Sequence, residues 1–415
     1  MKTFRSIIFW MHLAAGLIAG AAIGIMCFTG TALAFENELV AWAERDARRV
    51  TPPAPDAARL PLGDLLKKVR EAQPEARPAG IVVAANPREA VAFTLGREGA
   101  LYANPYTGEI RTPASAAMRD FMRLMTDWHR YLARSGDNRA IGKAINGACN
   151  IAFFVLAVSG LYLWIPRTWS WRGVKAIALF NFKFSGKARD FNWHNTIGLW
   201  SAPVLIVLTL TALPISYRWA GNLIYSLAGE EAPVQGGPGA GAAPAIDIPK
   251  PPEGTRPLSQ DALLVTAQKL SPGWETITLR LGGGFGGRGS GGPRPAGETP
   301  RSEPRAERNP EARPAASPAT VTVKVPGSWP RTATTTLTLN PYTGEELKRE
   351  GFGDFSTGRQ IRTWTRFLHT GQALGWGGQF IAGLACLGGC FLVYTGFALS
   401  WRRFFFKKKS APNAG

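Results

Sequence analysis

The chain alternates between long apolar segments and polar segments rich in proline and glycine. Four apolar segments reach the length needed to cross a bilayer, about 20 residues, and they occupy positions 7–33, 141–165, 197–217 and 380–399. Lys143 is the only lysine, arginine, aspartate or glutamate within them. The pattern predicts a membrane protein with four transmembrane helices, whose first partner is the lipid bilayer.

Basic residues flank these segments and supply much of the net charge of +19. They form one cluster at Lys2 and Arg5, a second at 167–189 and a third at 402–409. Because lysine and arginine accumulate on the cytoplasmic side of membrane proteins, both termini are expected in the cytoplasm. The two long connections, 36–138 and 220–372, are then expected on the opposite side. A nucleic-acid partner is not expected, since the positive charge lies beside the bilayer.

The same six residues, Asn-Pro-Tyr-Thr-Gly-Glu, occur at 104–109 and again at 340–345. Around each copy the features follow one order: an apolar helix, a polar segment that ends in the motif, a short aromatic-rich helix with one histidine, and a second apolar helix. This repetition indicates a tandem duplication. The proline fixes φ at one position of the motif and the glycine permits positive φ at another, which predicts a turn.

Each polar segment is expected to fold as a small α+β domain, a helix packed on an antiparallel sheet. In the first segment the periodicity predicts a helix at 62–72 and strands at 80–85 and 90–95. In the second it predicts a helix at 259–270 and strands at 276–281, 319–325 and 334–339. An insertion at 282–318, rich in glycine, proline and arginine, is expected to be disordered.

The chain contains only four histidines, His12, His129, His194 and His369, and the repeat places them at equivalent positions. His12 and His194 lie near the starts of the first and third apolar helices, on the expected cytoplasmic side. His129 and His369 precede the second and fourth, on the opposite side. An ionisable side chain at membrane depth is costly and by default indicates a functional site. A hydrogen bond to a neighbouring helix explains one such histidine, but four at duplicated positions favour a cofactor.

Depth decides which histidines can share a cofactor. The helix from His12 to Ala34 rises about 33 Å, so His12 and His129 lie near opposite surfaces. His12 with His194, and His129 with His369, are the feasible pairs. Each pair suits a haem iron, which takes two axial imidazoles, better than zinc, which needs further ligands.

Small residues follow two of the histidines at four-residue steps. Gly16, Gly20 and Gly24 follow His12, and Gly198 and Ala202 follow His194. Such stripes suit either a macrocycle or close helix packing.

Several motifs together resemble the PepSY-associated transmembrane family of bacterial inner-membrane proteins. They are both Asn-Pro-Tyr-Thr-Gly-Glu segments, Trp-His-Arg-Tyr-Leu at 128–132, Ser-Gly-Leu-Tyr-Leu-Trp-Ile-Pro-Arg at 159–167 and Asn-Trp-His-Asn-Thr-Ile-Gly-Leu-Trp at 192–200. The resemblance implies two extracytoplasmic PepSY-like domains and two b-type haems with His12, His129, His194 and His369 as ligands. Some members resemble di-haem ferric-siderophore reductases that serve iron uptake, which implies an oxidoreductase.

The domain organisation expected from the motifs and the hydropathy pattern runs as follows: transmembrane helix 1 at 1–35; PepSY-like domain 1 at 36–118; an interfacial helix and transmembrane helix 2 at 119–167; a basic cytoplasmic loop at 168–190; transmembrane helix 3 at 191–219; PepSY-like domain 2 at 220–358; an interfacial helix and transmembrane helix 4 at 359–403; and a basic cytoplasmic tail at 404–415.

The leading hypothesis is a conduit that takes electrons in at the His12/His194 haem and passes them to the His129/His369 haem. A periplasmic ferric chelate such as a ferric siderophore is the expected acceptor, in a pocket lined by Trp128, Arg130 and Trp364. The sequence has no credible flavin or nicotinamide motif, so the donor is expected to be a quinol or a cytoplasmic reductase. Two alternatives remain: a membrane scaffold whose PepSY domains bind peptides or inhibit a peptidase, and a metal or siderophore transporter.

Overall fold

The computed structural model describes residues 2–96, 99–166, 169–233, 248, 255–281 and 317–405. These residues form two compact units. We call them the helical unit (Met1–Glu36, Asp120–Glu231 and Thr357–Gly415) and the sheet unit (Asn37–Arg119 and Ala232–Ser356). The insertion expected at 282–318 lies outside the described residues, apart from its last two positions.

Four long helices dominate the helical unit. They are α1 (Lys2–Leu33), α6 (Arg139–Trp164), α8 (Gly186–Ser216) and α12 (Gly375–Phe405). Each contains a stretch long and apolar enough to cross a bilayer, with a mean hydropathy of 1.8 or 1.9. The protein is therefore a multi-pass membrane protein, and the four helices expected from the sequence are confirmed. They contact one another in the cyclic order α1, α6, α8, α12.

All four helices begin earlier than their apolar segments, and α8 does so by the largest margin. α8 starts at Gly186, so that Asp190, Asn192 and His194 lie on a helix within the bundle. The polar residues are accommodated because they have partners: Asn192 Nδ2 donates to the Ala176 carbonyl at 2.9 Å, and Asp190 pairs with Arg402 of α12 at 3.2 Å. Hydropathy alone therefore underestimates the length of a helix whose polar side chains bond to its neighbours.

Shorter helices complete the helical unit: α5 (Ala117–Tyr131, from Asp120 onwards), α7 (Trp171–Ala178), α9 (Arg218–Leu227) and α11 (Thr357–His369). The sequence predicted α5 and α11, each of which carries one histidine near its end. It did not predict α7 and α9, which are short and lie beside long apolar segments. Arg5 joins the ends of α1 and α6 by donating to the Ile165 carbonyl at 2.9 Å.

The sheet unit contains one antiparallel sheet of eight strands, in the order β4-β3-β2-β1-β5-β6-β7-β8. The strands are β1 (Gly80–Ala84), β2 (Val91–Thr94), β3 (Ala100–Ala103), β4 (Ile110–Arg111), β5 (Thr276–Arg280), β6 (Ala319–Lys324), β7 (Thr335–Leu339) and β8 (Glu346–Glu350). Its helices are α2 (Glu36–Ala43, whose first residue belongs to the helical unit), α3 (Arg45–Arg48), α4 (Leu62–Ala72) and α10 (Gln260–Leu270).

The centre of the sheet is the pairing of β1 with β5, in which Val82 lies opposite Thr278. The two polar segments therefore share one sheet and one core, where the sequence analysis had expected two small domains. α4 and α10 pack beside each other, and Asp261 of α10 caps α4 by accepting from Leu62 N at 2.6 Å. Leu65 and Ile277, one from each segment, are both fully buried in this core.

Both Asn-Pro-Tyr-Thr-Gly-Glu motifs form turns of the same geometry. Asn104 Oδ1 accepts from Tyr106 N at 2.9 Å, and Asn340 Oδ1 accepts from Tyr342 N at the same distance. The glycines, Gly108 and Gly344, have φ of 73° and 75°. The predicted turn is confirmed, including the positive φ that favours glycine.

Candidate functional site

The histidines of α5 and α11 face each other within the helical unit. The ring centroids of His129 and His369 are 6.2 Å apart, with an angle of 50° between the rings. Two imidazoles that bind one metal ion from opposite sides, through Nε2 at about 2.0 Å each, have centroids about 6 Å apart. The spacing of this outer pair therefore fits one metal ion held between the two rings.

Hydrogen bonds fix the tautomers of both rings. His369 Nδ1 lies 2.9 Å from the Leu208 carbonyl of α8. His129 Nδ1 lies 2.9 Å from Thr29 Oγ1 and 3.1 Å from the Met26 carbonyl, both of α1. A carbonyl only accepts, so each Nδ1 carries the proton and each Nε2 keeps its lone pair. A hydrogen bond from Nδ1 to such a group orients the histidine ligands of metals.

Burial also favours the neutral form of the outer pair. It lowers the pKa of His129 to about 4, with a further contribution from the neighbouring His369. Burial likewise lowers the pKa of His369. Both imidazoles are therefore neutral near pH 7, as a metal ligand must be.

A cavity of about 770 Å³ surrounds the outer pair. Its volume lies within the range of cofactor and ligand sites, roughly 300–1,000 Å³. Asn146, which lines it, donates to the His129 carbonyl at 3.0 Å, but its Oδ1 is buried with no hydrogen-bond partner among the described residues. A buried polar atom without a partner indicates a place for a further polar group.

The inner histidines are held in a similar way. His12 Nδ1 lies 2.8 Å from Ser159 Oγ of α6, and His194 Nδ1 lies 2.8 Å from Thr395 Oγ1 of α12. Both hydroxyls donate to carbonyls one helical turn earlier, so each accepts from the imidazole. His12 and His194 therefore also carry the proton on Nδ1 and the lone pair on Nε2.

A glycine follows each of these hydroxyl residues and lies against the imidazole. A Cβ on Gly160 would come within 3.2 Å of His12 Cε1, and a Cβ on Gly396 within 3.7 Å of His194 Cε1. The pairs Ser159-Gly160 and Thr395-Gly396 therefore form equivalent seats for the two inner rings.

A family model described as the PepSY-associated TM region matches residues 9–403. The chain belongs to this family. No curated protein matches the chain. The match includes all four histidines and both hydroxyl residues that seat the inner pair.

In this PepSY-associated protein the small-residue stripe of α1 serves helix packing. A Cβ on Gly20 would lie 2.9 Å from the ring of Phe397, and one on Gly24 would lie 3.5 Å from Val393, both on α12. Of the two explanations open at the level of sequence, close packing fits these contacts.

The three residues expected to line a substrate pocket do not all reach the cavity. Arg130 lines it, but Trp128 and Trp364 are not among its lining residues. Trp128 is adjacent to His129 on a helix, where successive side chains point about 100° apart, and it is 37% exposed. Trp364 is half-buried. A role for the two tryptophans in binding an acceptor stays a prediction.

Sequence reasoning missed the groups that orient the histidines. The carbonyls of Met26 and Leu208 leave no signature in a sequence, because every residue has one. Ser159 and Thr395 did leave a signal, since each stands at the same position of a repeated helix end. A polar residue at matched positions in two apolar helices indicates a partner for another polar group.

Proposed function

We propose that this protein is a di-haem electron carrier of the bacterial inner membrane that reduces a ferric chelate on the periplasmic side. The observation that carries the proposal is the outer pair: two neutral imidazoles with centroids 6.2 Å apart, each oriented through Nδ1. His129 and His369 would hold one haem, and His12 and His194 the other. Haem supplies one-electron chemistry through an iron with two axial imidazoles.

The protein's residues position these ligands at two levels. Met26, whose carbonyl contacts His129, follows His12 on α1. Leu208, whose carbonyl contacts His369, follows His194 on α8 by the same number of residues. At 1.5 Å per residue, the two levels are about 21 Å apart along each helix. The proposal therefore places one redox centre towards each surface of the membrane.

The orientation of the protein follows from its charge. We place the basic clusters and both termini in the cytoplasm and the sheet unit outside, in accord with the positive-inside rule. The equivalent strand orders, turns and histidine seats support an origin by tandem duplication, with one PepSY-like segment in each half of the sheet unit. A quinol or a cytoplasmic reductase would supply electrons at the His12/His194 end. A ferric siderophore is the favoured acceptor in iron uptake, because chelating oxygens bind Fe(II) more weakly than Fe(III).

Counting haems in histidine variants of the detergent-purified protein tests this proposal. The unaltered protein is expected to show a Soret band and two haems per chain. His129→Ala with His369→Ala should leave one haem, and His12→Ala with His194→Ala should leave the other. His12→Ala with His129→Ala, which removes one ligand from each proposed pair, should lower the content of both.

The outcome distinguishes the pairings and the alternatives. The absence of a Soret band would refute the di-haem assignment and favour a scaffold or a transporter. Two haems retained after both outer histidines are replaced would refute the assignment of these histidines as ligands. Size-exclusion elution of each variant controls for misfolding. Mixing the dithionite-reduced protein with ferric chelates then tests the acceptor, since the reduced haem spectrum should decay at a rate that depends on chelate concentration.

A further inference from the structure

The cavity around His129 and His369 has a strongly basic wall. The basic side chains that line it are Arg130, Lys143, Arg359, Arg362 and Arg366. Glu36 is the one acidic side chain among the described residues that line it. All of these residues belong to the helical unit.

Four of the five basic residues come from the same helices as His129 and His369, and Lys143 comes from α6. Arg362, Arg366 and His369 lie on one face of α11, because residues three, four and seven positions apart share a face. Arg130 follows His129 directly on α5. An acceptor that approaches a haem held by these imidazoles therefore also meets the guanidinium groups.

Like charges collected in a partly buried cavity repel one another more strongly than in water. Burial lowers the pKa of the Arg362 guanidinium, Tyr225 partly opposes this shift, and the charge of Arg366 adds a smaller lowering. The side chain keeps its charge at physiological pH, since an arginine is protonated throughout that range. An anion in the cavity would relieve this repulsion.

We infer that the basic wall of this cavity selects the electron acceptor by negative charge, so that anionic chelates bind beside the proposed haem in preference to neutral ones of similar size. The inference rests on the proposed function, in which the acceptor approaches the outer histidine pair. It adds the substrate class: a chelate whose carboxylate or similar oxygen atoms remain anionic after the metal is bound. Arg362 and Arg366 are the residues that determine the specificity.

Binding of redox-inert probes tests the inference without any electron transfer. Gallium(III)–EDTA is an anion, and gallium(III) tris(acetohydroxamate) is neutral. Equilibrium dialysis at low salt should show the anion binding about tenfold more tightly than the neutral complex. The difference should shrink as ionic strength rises, because salt screens exposed charges.

Charge variants assign the effect to the cavity wall. Arg362→Gln with Arg366→Gln should weaken anion binding about tenfold and leave the neutral probe unchanged. Arg362→Lys with Arg366→Lys, which keeps both charges, should restore most of the preference. Glu36→Gln should tighten anion binding, and Arg134→Gln, an exposed position that does not line the cavity, should have no effect.

The haem content of the same variants shows whether these arginines bind the chelate or the carboxylates of a bound haem. If the Gln variant lost haem while the remaining protein kept its preference for the anion, these arginines would serve the haem, and the inference would be overturned. Equal binding of the two probes to the unaltered protein would also overturn it. Failure of every ferric chelate to oxidise the reduced protein would count against the proposed function alone, since the gallium probes report charge selection independently.

Discussion

His12 Nδ1 lies 2.8 Å from Ser159 Oγ, and the serine accepts because its own hydroxyl donates to the Leu156 carbonyl. The hydrogen bond joins α1 to α6 and determines which ring nitrogen is available for a ligand. His194 and Thr395 repeat the arrangement between α8 and α12. The orientation of the inner rings therefore depends on two hydroxyls that would touch no substrate.

Ser159→Ala should weaken the inner cofactor site without removing a ligand. Loss of a group that orients a metal-binding histidine commonly lowers affinity about 10- to 100-fold. We expect a lower haem content at the inner site and a shifted redox potential for the haem that remains, measured by potentiometric titration. Ser159→Thr keeps the hydroxyl and should behave like the unaltered protein. An unchanged potential in the Ala variant would contradict this role.

Gly160 and Gly396 provide a matched comparison of space beside the two rings. Gly160→Ala should displace His12, because the new Cβ would come within 3.2 Å of the ring, closer than ordinary contact. Gly396→Ala should be tolerated, since its Cβ would meet His194 at 3.7 Å. The width and position of the low-spin haem signal in electron paramagnetic resonance spectra should change only for Gly160→Ala. Equal effects of the two substitutions would contradict this difference in space beside the rings.

Glu44 should contribute strongly to the stability of the sheet unit. Its side chain is 1% exposed and accepts hydrogen bonds from Arg119, from Arg48 at 3.1 Å and from Tyr102 at 2.8 Å. Glu44→Gln leaves these buried donors without a charged partner and should cost about 3 kcal/mol. Hydrogen exchange at the amides of β3 in the full-length protein measures this free energy of opening. Glu109→Gln, which alters an exposed ion pair with Arg111, should cause little change.

The contribution of Glu44 should depend on pH in one direction. Burial raises the pKa of its carboxyl, but hydrogen bonds from Arg119 and Tyr102 and the charges of Arg119 and Arg48 lower it below the ordinary value. Its stabilisation is therefore complete above about pH 4.3, the ordinary value for glutamate, and is lost as pH falls through the depressed pKa. The difference in protection between Glu44→Gln and the unaltered protein should shrink below that pH. A constant difference down to pH 2 would contradict this assignment.

A disulfide between β1 and β5 tests the joined sheet directly. Val82 and Thr278 lie directly opposite each other, and opposite residues in antiparallel strands are close enough for a disulfide. Val82→Cys with Thr278→Cys should form a crosslink that peptide mapping detects after mild oxidation. Val82→Cys with Thr276→Cys, two residues out of register, should crosslink much less. Equal yields would mean that the strands do not pair in this register.

Much of the fold can be predicted from the sequence because its determinants are local. The helix at 62–72 has the observed bounds, since Leu62, Leu65, Leu66 and Val69 follow a helical period. The turn at Gly108 follows from the need for positive φ. Strands β3, β4 and β8 were missed, because β4 has only two residues and β8 is mostly charged.

The pairing of β1 with β5 could not be predicted, because it joins residues almost 200 positions apart in sequence. Strand register depends on contacts between segments, and a single sequence shows only the pattern within each segment. The candidate site likewise combines features that the sequence predicts with features that it does not. The sequence predicts which histidines to pair, since the repeat marks them, but it does not predict the Met26 and Leu208 carbonyls that orient the outer rings.

Each half of the chain orients its own histidines, since Ser159 and Met26 serve His12 and His129, while Thr395 and Leu208 serve His194 and His369. Each proposed metal centre, in contrast, takes one ligand from each half. Neither half alone supplies both ligands of a centre, so cofactor binding would depend on correct assembly of the two halves. Only a protein whose two halves have docked correctly would retain its haems, and the colour of the purified protein would report its quality.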